Sequence, residues 1–213
     1  VNGWTDAPNA IATCITTRCM KPRPAIMLSA VFNFLGVLVM THFNSSVAST
    51  ISNMVDFGGD TREALIALCA ALFSIVVYSV AASMFGIPTS ESHSLIAGLS
   101  GAAIAIQNGV GGINMSEWVK VLYGLVASLA LGFCIGWVVC KGLTILCRKM
   151  DRRRTNQFFT GAEIFGAAAM SFMHGAQDGQ KFIGVLFLGL AFCNGQSSVQ
   201  GIGIPVWLML LCS

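Results

Sequence analysis

The chain has 213 residues, 55% of them hydrophobic and only 10% charged, with a mean hydropathy of +0.75. An ordinary soluble domain carries roughly 25% charged residues, so a water-soluble monomer is excluded and an all-α polytopic membrane protein is expected. The net charge of +3, from 12 Lys and Arg against 9 Asp and Glu, reads as loop topology rather than as a nucleic-acid surface.

In chain order, the first polar motif lies at residues 2–13 and a basic, proline-punctuated stretch follows with Arg18, Lys21, Pro22, Arg23 and Pro24. Apolar runs at 25–43, 64–86, 89–106 and 119–141 then supply four crossings of the membrane, at about 20 residues per spanning helix. The third has an unusually polar head, Thr89-Ser90-Glu91-Ser92-His93-Ser94, after the break at Pro88. The densest basic cluster is Arg148, Lys149, Arg152, Arg153 and Arg154. By the positive-inside rule this segment and the Arg18–Arg23 segment are cytoplasmic, which needs an even number of crossings between them. The apolar pieces on either side of His174 to Lys181 are each too short to span. The opening on Val1 and the close in an apolar stretch make the sequence read as a fragment. None of the eight cysteines forms a CxxC pair or a zinc-spaced cluster, so they are expected to act as small packing residues.

Two polar interruptions echo each other. Asn2 to Thr13 and His174 to Gly184 each carry a Gly, then an amide or hydroxyl residue, then Asp, with an amide following (Asn9, Gln180). Polar breaks at matching places in two halves are a sequence pointer to a transporter site. An Asp within a membrane segment costs about 2.5–3.5 kcal/mol on insertion scales, so Asp6 and Asp178 require a partner, a proton or a cation. On a helix Asp6, Asn9 and Thr13 share one face and offer a carboxylate, an amide oxygen and a hydroxyl, which are hard ligands suited to Na+ or a proton. In 89–94 the hydroxyls serve either as ordinary helix caps or, with the free N–H groups of a buried helix start, as an anion site lacking a fixed positive charge. Glu91 would oppose an anion and is expected to point at another helix or at a cation.

These motifs, Asn-Gly-x-x-Asp-x-x-Asn-Ala-Ile-Ala-Thr at 2–13, Pro-Thr-Ser-Glu-Ser-His-Ser-Leu-Ile-Ala-Gly-Leu-Ser-Gly at 88–101 and Ser-Phe-Met-His-Gly-Ala-Gln-Asp-Gly-Gln-Lys-Phe-Ile-Gly at 171–184, resemble the inorganic phosphate transporter (PiT) family, in particular its bacterial members. Thr5, Gln177 and Glu91 depart from the usual family residues. The resemblance implies an inverted-repeat secondary transporter with broken or re-entrant helices, in a bacterial plasma membrane. Residues 1–147 would be the first repeat with its start missing, 148–160 a basic cytoplasmic linker, and 161–213 the truncated beginning of a second, inverted repeat. It implies phosphate symport with Na+ or H+ by alternating access. Thr89, Ser90, Ser92, His93, Asn9, Gln177 and Lys181 would bind phosphate. Asp6, Asn9, Thr13 and Asp178 would bind the coupling ion, with Asp6 and Asp178 as the metal ligands if that ion is Na+. No cofactor beyond the coupling cation is expected. The expected partners are phosphate, that cation, the bilayer and, as one option, a second copy forming a homodimer, with no nucleic acid. Alternatives are a permease for another tetrahedral oxyanion such as sulfate, an anion channel, and a membrane hydrolase built on the two Asp residues, which lacks any supporting nucleophile.

Overall fold

The computed structural model describes residues 3, 7–43, 46–58, 60–87 and 89–195. Asn2, Trp4, Thr5 and Asp6, a third of the first polar motif, lie outside the described residues. The helices are α1 (Ala7–Thr16), α2 (Pro22–Phe43), α3 (Ser46–Asn53), α4 (Thr61–Met84), α5 (Glu91–Gln107), α6 (Met115–Cys147), α7 (Arg152–His174) and α8 (Gln180–Cys193). A 3-10 turn, Val110–Gly112, joins α5 to α6, and a π-helical turn, Gly175–Gly179, joins α7 to α8. Among the described residues there is no β-strand beyond a single bridge between Val55 and Ile113.

The starts of several helices follow from local chemistry. Side-chain oxygens of Asp60, Asn114 and Asp151 accept the backbone N–H two residues ahead, at 2.9, 3.2 and 3.3 Å, and so satisfy donors that an α-helix leaves open in its first turn. At its other end α5 stops at Asn108, whose φ of 50° is left-handed. Asn tolerates that region better than most residues with a Cβ.

Three helices, α2, α4 and α6, have the length and apolarity to cross a membrane, with 22, 24 and 33 residues. They coincide with three of the four expected crossings. The fourth, α5, has 17 residues. At a rise of about 1.5 Å per residue it reaches about 25 Å, short of a bilayer core of about 30 Å. The basic segment is helical from Arg152 onward, leaving 148–151 as the non-helical part of the expected linker. The two short pieces flanking residues 174–181 are parts of a continuous helical run over 152–193, because the π turn carries the chain through the polar motif without breaking it.

Two apolar clusters organise the packing. The smaller joins Ile11 and Cys14 of α1, Ala25 of α2 and Ala167 of α7. The larger joins α3, α4, α5 and α8 through Ile51, Leu68, Leu95, Leu99, Leu188 and Phe192, together with Met54 and Phe57 of the α3–α4 connection. Helix α2 packs along α7 and the π turn. Glycine permits that approach: a Cβ on Gly36 would lie 2.0 Å from the Phe172 carbonyl oxygen, and one on Gly175 would lie 2.1 Å from that of Asn33. Helix α6 has no buried residue and touches the larger cluster only near its start, where the Trp118 indole N–H donates to Ser100 Oγ at 3.2 Å.

The seven described cysteines are free thiols. The expected packing role fits buried Cys14, whereas Cys69, Cys134, Cys140 and Cys193 are exposed on helix surfaces.

Candidate functional site

The π turn places Asp178 at the junction of the two packed groups. Its side chain is only 12% exposed, so its charge needs partners. Lys181, three residues on in the first turn of α8, brings its ammonium to 2.6 Å from Asp178 Oδ1. The same ammonium donates to Ser92 Oγ of α5, and the Ser92 hydroxyl donates to Asp178 Oδ1 at 3.3 Å. A carboxylate, an ammonium and a hydroxyl from segments 86 and 89 residues apart thus close into a triangle. In a low-dielectric setting such a pair persists only when geometry and additional hydrogen bonds compensate the loss of water.

The second carboxylate oxygen faces His174. Its Nε2 is 3.3 Å from Asp178 Oδ2, within ion-pair range, but makes no hydrogen bond among the described groups. On the far side of the ring, Nδ1 lies 2.7 Å from Asn33 Oδ1. The Asn33 amide donates through Nδ2 to the Ser29 carbonyl at 2.8 Å and to Ser29 Oγ at 3.2 Å, which turns Oδ1 toward the imidazole. Since Asn33 Oδ1 can only accept, the proton of that bond sits on His174 Nδ1. Ser171 of α7 donates to Ser29 Oγ at 3.2 Å and completes the contact between α2 and α7.

Glu91 is 4% exposed and accepts from Ser79 Oγ of α4 at 2.9 Å. It points at another helix, as expected from the cost of facing an anion. Ser90 caps α5 weakly, accepting the His93 N–H at 3.5 Å.

Three cavities meet this region. The largest, about 790 Å³, is reached by Ser29, Asn33, Glu91, His174 and Asp178 along a mostly apolar wall. A second, about 530 Å³, is lined by Tyr78, Thr89, Ser90, His93 and Ser94. A third, about 340 Å³, is lined by Ser92, His93, Lys120, Ser128 and Lys181. Asp178 opens on the first and its partners Ser92 and Lys181 on the third, so the ion pair stands between these two spaces.

Of the residues singled out from the sequence, the fold brings together Asp178, Lys181 and Ser92, with His93 next to them on the rim of two cavities. Thr89 and Ser90 face the second cavity, away from the carboxylate. Asn9, Thr13 and Gln177 are exposed, and Asp6 is outside the described residues. Among the described residues no group of three or more His, Cys, Asp and Glu is placed to hold a metal ion. Sequence reasoning assigned nothing to Ser29, Asn33, Ser79 and His174. The available signal was Ser29 and Asn33 four residues apart in an otherwise apolar run, a spacing that puts both on one helix face.

Comparison with known proteins bears on what this arrangement belongs to. The profile of the phosphate transporter family matches residues 2–152 and 146–213. Over 213 residues the chain is 32% identical to the probable low-affinity inorganic phosphate transporter of Bacillus subtilis (strain 168), covering all of this chain and 62% of that protein. It is 34% identical over 218 residues to the protein of the same description in Mycobacterium bovis, covering all of this chain and 49% of that one. It is 32% identical over 217 residues to the low-affinity inorganic phosphate transporter PitA of Escherichia coli (strain K12), covering 89% of this chain and 43% of PitA. The chain therefore spans about half the length of these relatives. No solved structure matches it. With profile matches over nearly its whole length and helices of membrane-crossing length, the chain belongs to the phosphate transporter family and is an integral membrane protein.

Proposed function

We propose that this protein carries inorganic phosphate across the membrane by alternating access, in symport with Na+ or H+. The observation that carries the reading is the buried Asp178 carboxylate between two cavities, bonded directly to Ser92 of the hydroxyl-rich start of α5. A membrane-embedded carboxylate responds to a cation or a proton, and the hydroxyls and open N–H groups of a helix start suit a tetrahedral oxyanion that must also be released. Joining the two through one serine supplies the contact that obligatory coupling needs. The phosphate ligands would be Thr89, Ser90, Ser92 and His93, and the coupling cation would act at Asp6 if it is Na+ and at Asp6 or Asp178 if it is a proton. The echo between residues 2–13 and 174–184 supports an inverted pair of repeats, with 1–147 as the first and the segment from 161 opening the second. The relatives' printed descriptions as inorganic phosphate transporters favour this anion.

The test is uptake of labelled phosphate by proteoliposomes containing the full-length protein, with Na+ and proton gradients imposed separately and excess sulfate as competitor. Uptake that follows one gradient and resists sulfate is the expected result. Flux that is insensitive to both gradients would favour a channel, and competition by sulfate would widen the substrate to oxyanions in general.

A further inference from the structure

We propose that Lys181 is a built-in cation: its tethered ammonium fills the position at Asp178 Oδ1 and Ser92 Oγ that a coupling Na+ would otherwise take, and so excludes Na+ from this carboxylate. That the excluded ion is a coupling ion rests on the transport function proposed above; the exclusion itself is a property of binding alone.

Three observations lead to it. First, the ammonium is bonded to two hard oxygens, the carboxylate at 2.6 Å and the serine hydroxyl, which are the donor types a hard monovalent cation seeks. Second, the Asp178 carboxylate already has its countercharge. Lys181 bears the opposite charge, and the side chains touching the carboxylate besides it, Ser92 and His174 with Asn33 behind, bring no fixed charge, while Glu91 on the wall of the same cavity is bonded to Ser79 of α4. Na+ at Oδ1 would have to sit beside the ammonium, between side chains that are only 12% (Asp178) and 18% (Lys181) exposed, where two like charges on one carboxylate are costly. Third, the two echoing motifs differ at this position. Three residues after Asp6 stands Asn9, a neutral oxygen donor, whereas three residues after Asp178 stands Lys181. At that position one copy carries a neutral oxygen donor and the other carries the cation itself. The two motifs are thereby unequal toward Na+.

The test uses the full-length protein in detergent without phosphate, comparing thermal midpoints in NaCl and in choline chloride at equal ionic strength. Two variants are made, Lys181→Met and Lys181→Asn, the second restoring the Asp-x-x-Asn spacing of the first motif. With the ammonium gone, the carboxylate is left uncompensated and Na+ should bind. The expected result is a Na+-specific rise in midpoint of at least about 2 °C beyond that of the unsubstituted protein, or recovery of folding by NaCl where choline gives none. Adding Asp178→Asn to either variant should abolish the gain. The proposal is overturned if neither variant gains a Na+ response, since a proton then replaces the lysine. It is equally overturned if the unsubstituted protein already shows a Na+ response that Asp178→Asn removes. Because no phosphate flux is read, failure of the transport reading would appear only in the uptake assay and would leave this result standing.

Discussion

Residues 174–181 turn inward and residues 89–94 run along a rim. In the first segment Asp178 is buried, its Oδ1 is engaged by Lys181 and Ser92, its Oδ2 faces His174, and His174 is braced by Asn33. In the second, Thr89, Ser90 and Ser94 line an open cavity with a single weak cap holding the helix start. Both segments look alike in sequence, as polar interruptions between apolar runs. They differ because a charge in a low-dielectric setting must be closed by partners, whereas a hydroxyl tolerates being half satisfied. Ser92 is the one residue that serves both.

The comparison can be broken most strongly at the carboxylate. Asp178→Asn in the full-length protein keeps the volume and one acceptor oxygen but removes the charge that Lys181 answers. Phosphate uptake should be abolished while the protein still folds, at a cost of about 1.5–3 kcal/mol for the weakened charged hydrogen bond. Normal uptake would reject the role given to this group. A second break targets the close approach behind it. Gly175→Ala would place a methyl group 2.1 Å from the Asn33 carbonyl oxygen, so the π turn or α2 must shift. Overpacking of this kind costs about 1–3 kcal/mol, and an unchanged thermal midpoint would show that the two backbones do not meet as described. The smallest effect sharpens the comparison from the other side. Ser90→Ala removes a long cap bond and should lower stability by about 1 kcal/mol or less. If uptake affinity falls while the midpoint holds, the hydroxyl serves the anion and not the helix.

Much of the architecture was legible in composition and periodicity. The runs at 25–43, 64–86, 89–106 and 119–141 reappear as α2, α4, α5 and α6, since an apolar stretch bounded by caps and proline has few other outcomes. The π turn was not legible, because whether Gly175 to Gly179 breaks a helix or widens it depends on Gly36 and Asn33 pressing against it from 139 and 142 residues away in sequence. Asp178 stood out as a charge in an apolar setting. The role of Lys181 did not, because the sequence aligned it with phosphate ligands while Ser92, which shares its ammonium with the carboxylate, lies 89 residues earlier. Asn33 passed as an ordinary interruption of an apolar run; only its position opposite His174 gives it meaning.

The π turn has a mechanical consequence. A wider turn takes up one more residue than the α-helix needs, and one residue is about 100° of rotation. Helix α8 is therefore clocked against α7. On one side of the offset Ala167 and Ser171 meet α1 and α2, and on the other Val185, Leu188 and Phe192 meet the α3–α4–α5 group. A single helical rod thus serves two differently oriented sockets. Shortening the turn by one residue would spare every apolar residue of α8 yet point each at the wrong wall, swinging Lys181 off Ser92. A tight tolerance for length thus sits in the middle of the longest continuous helical run among the described residues, not in a loop.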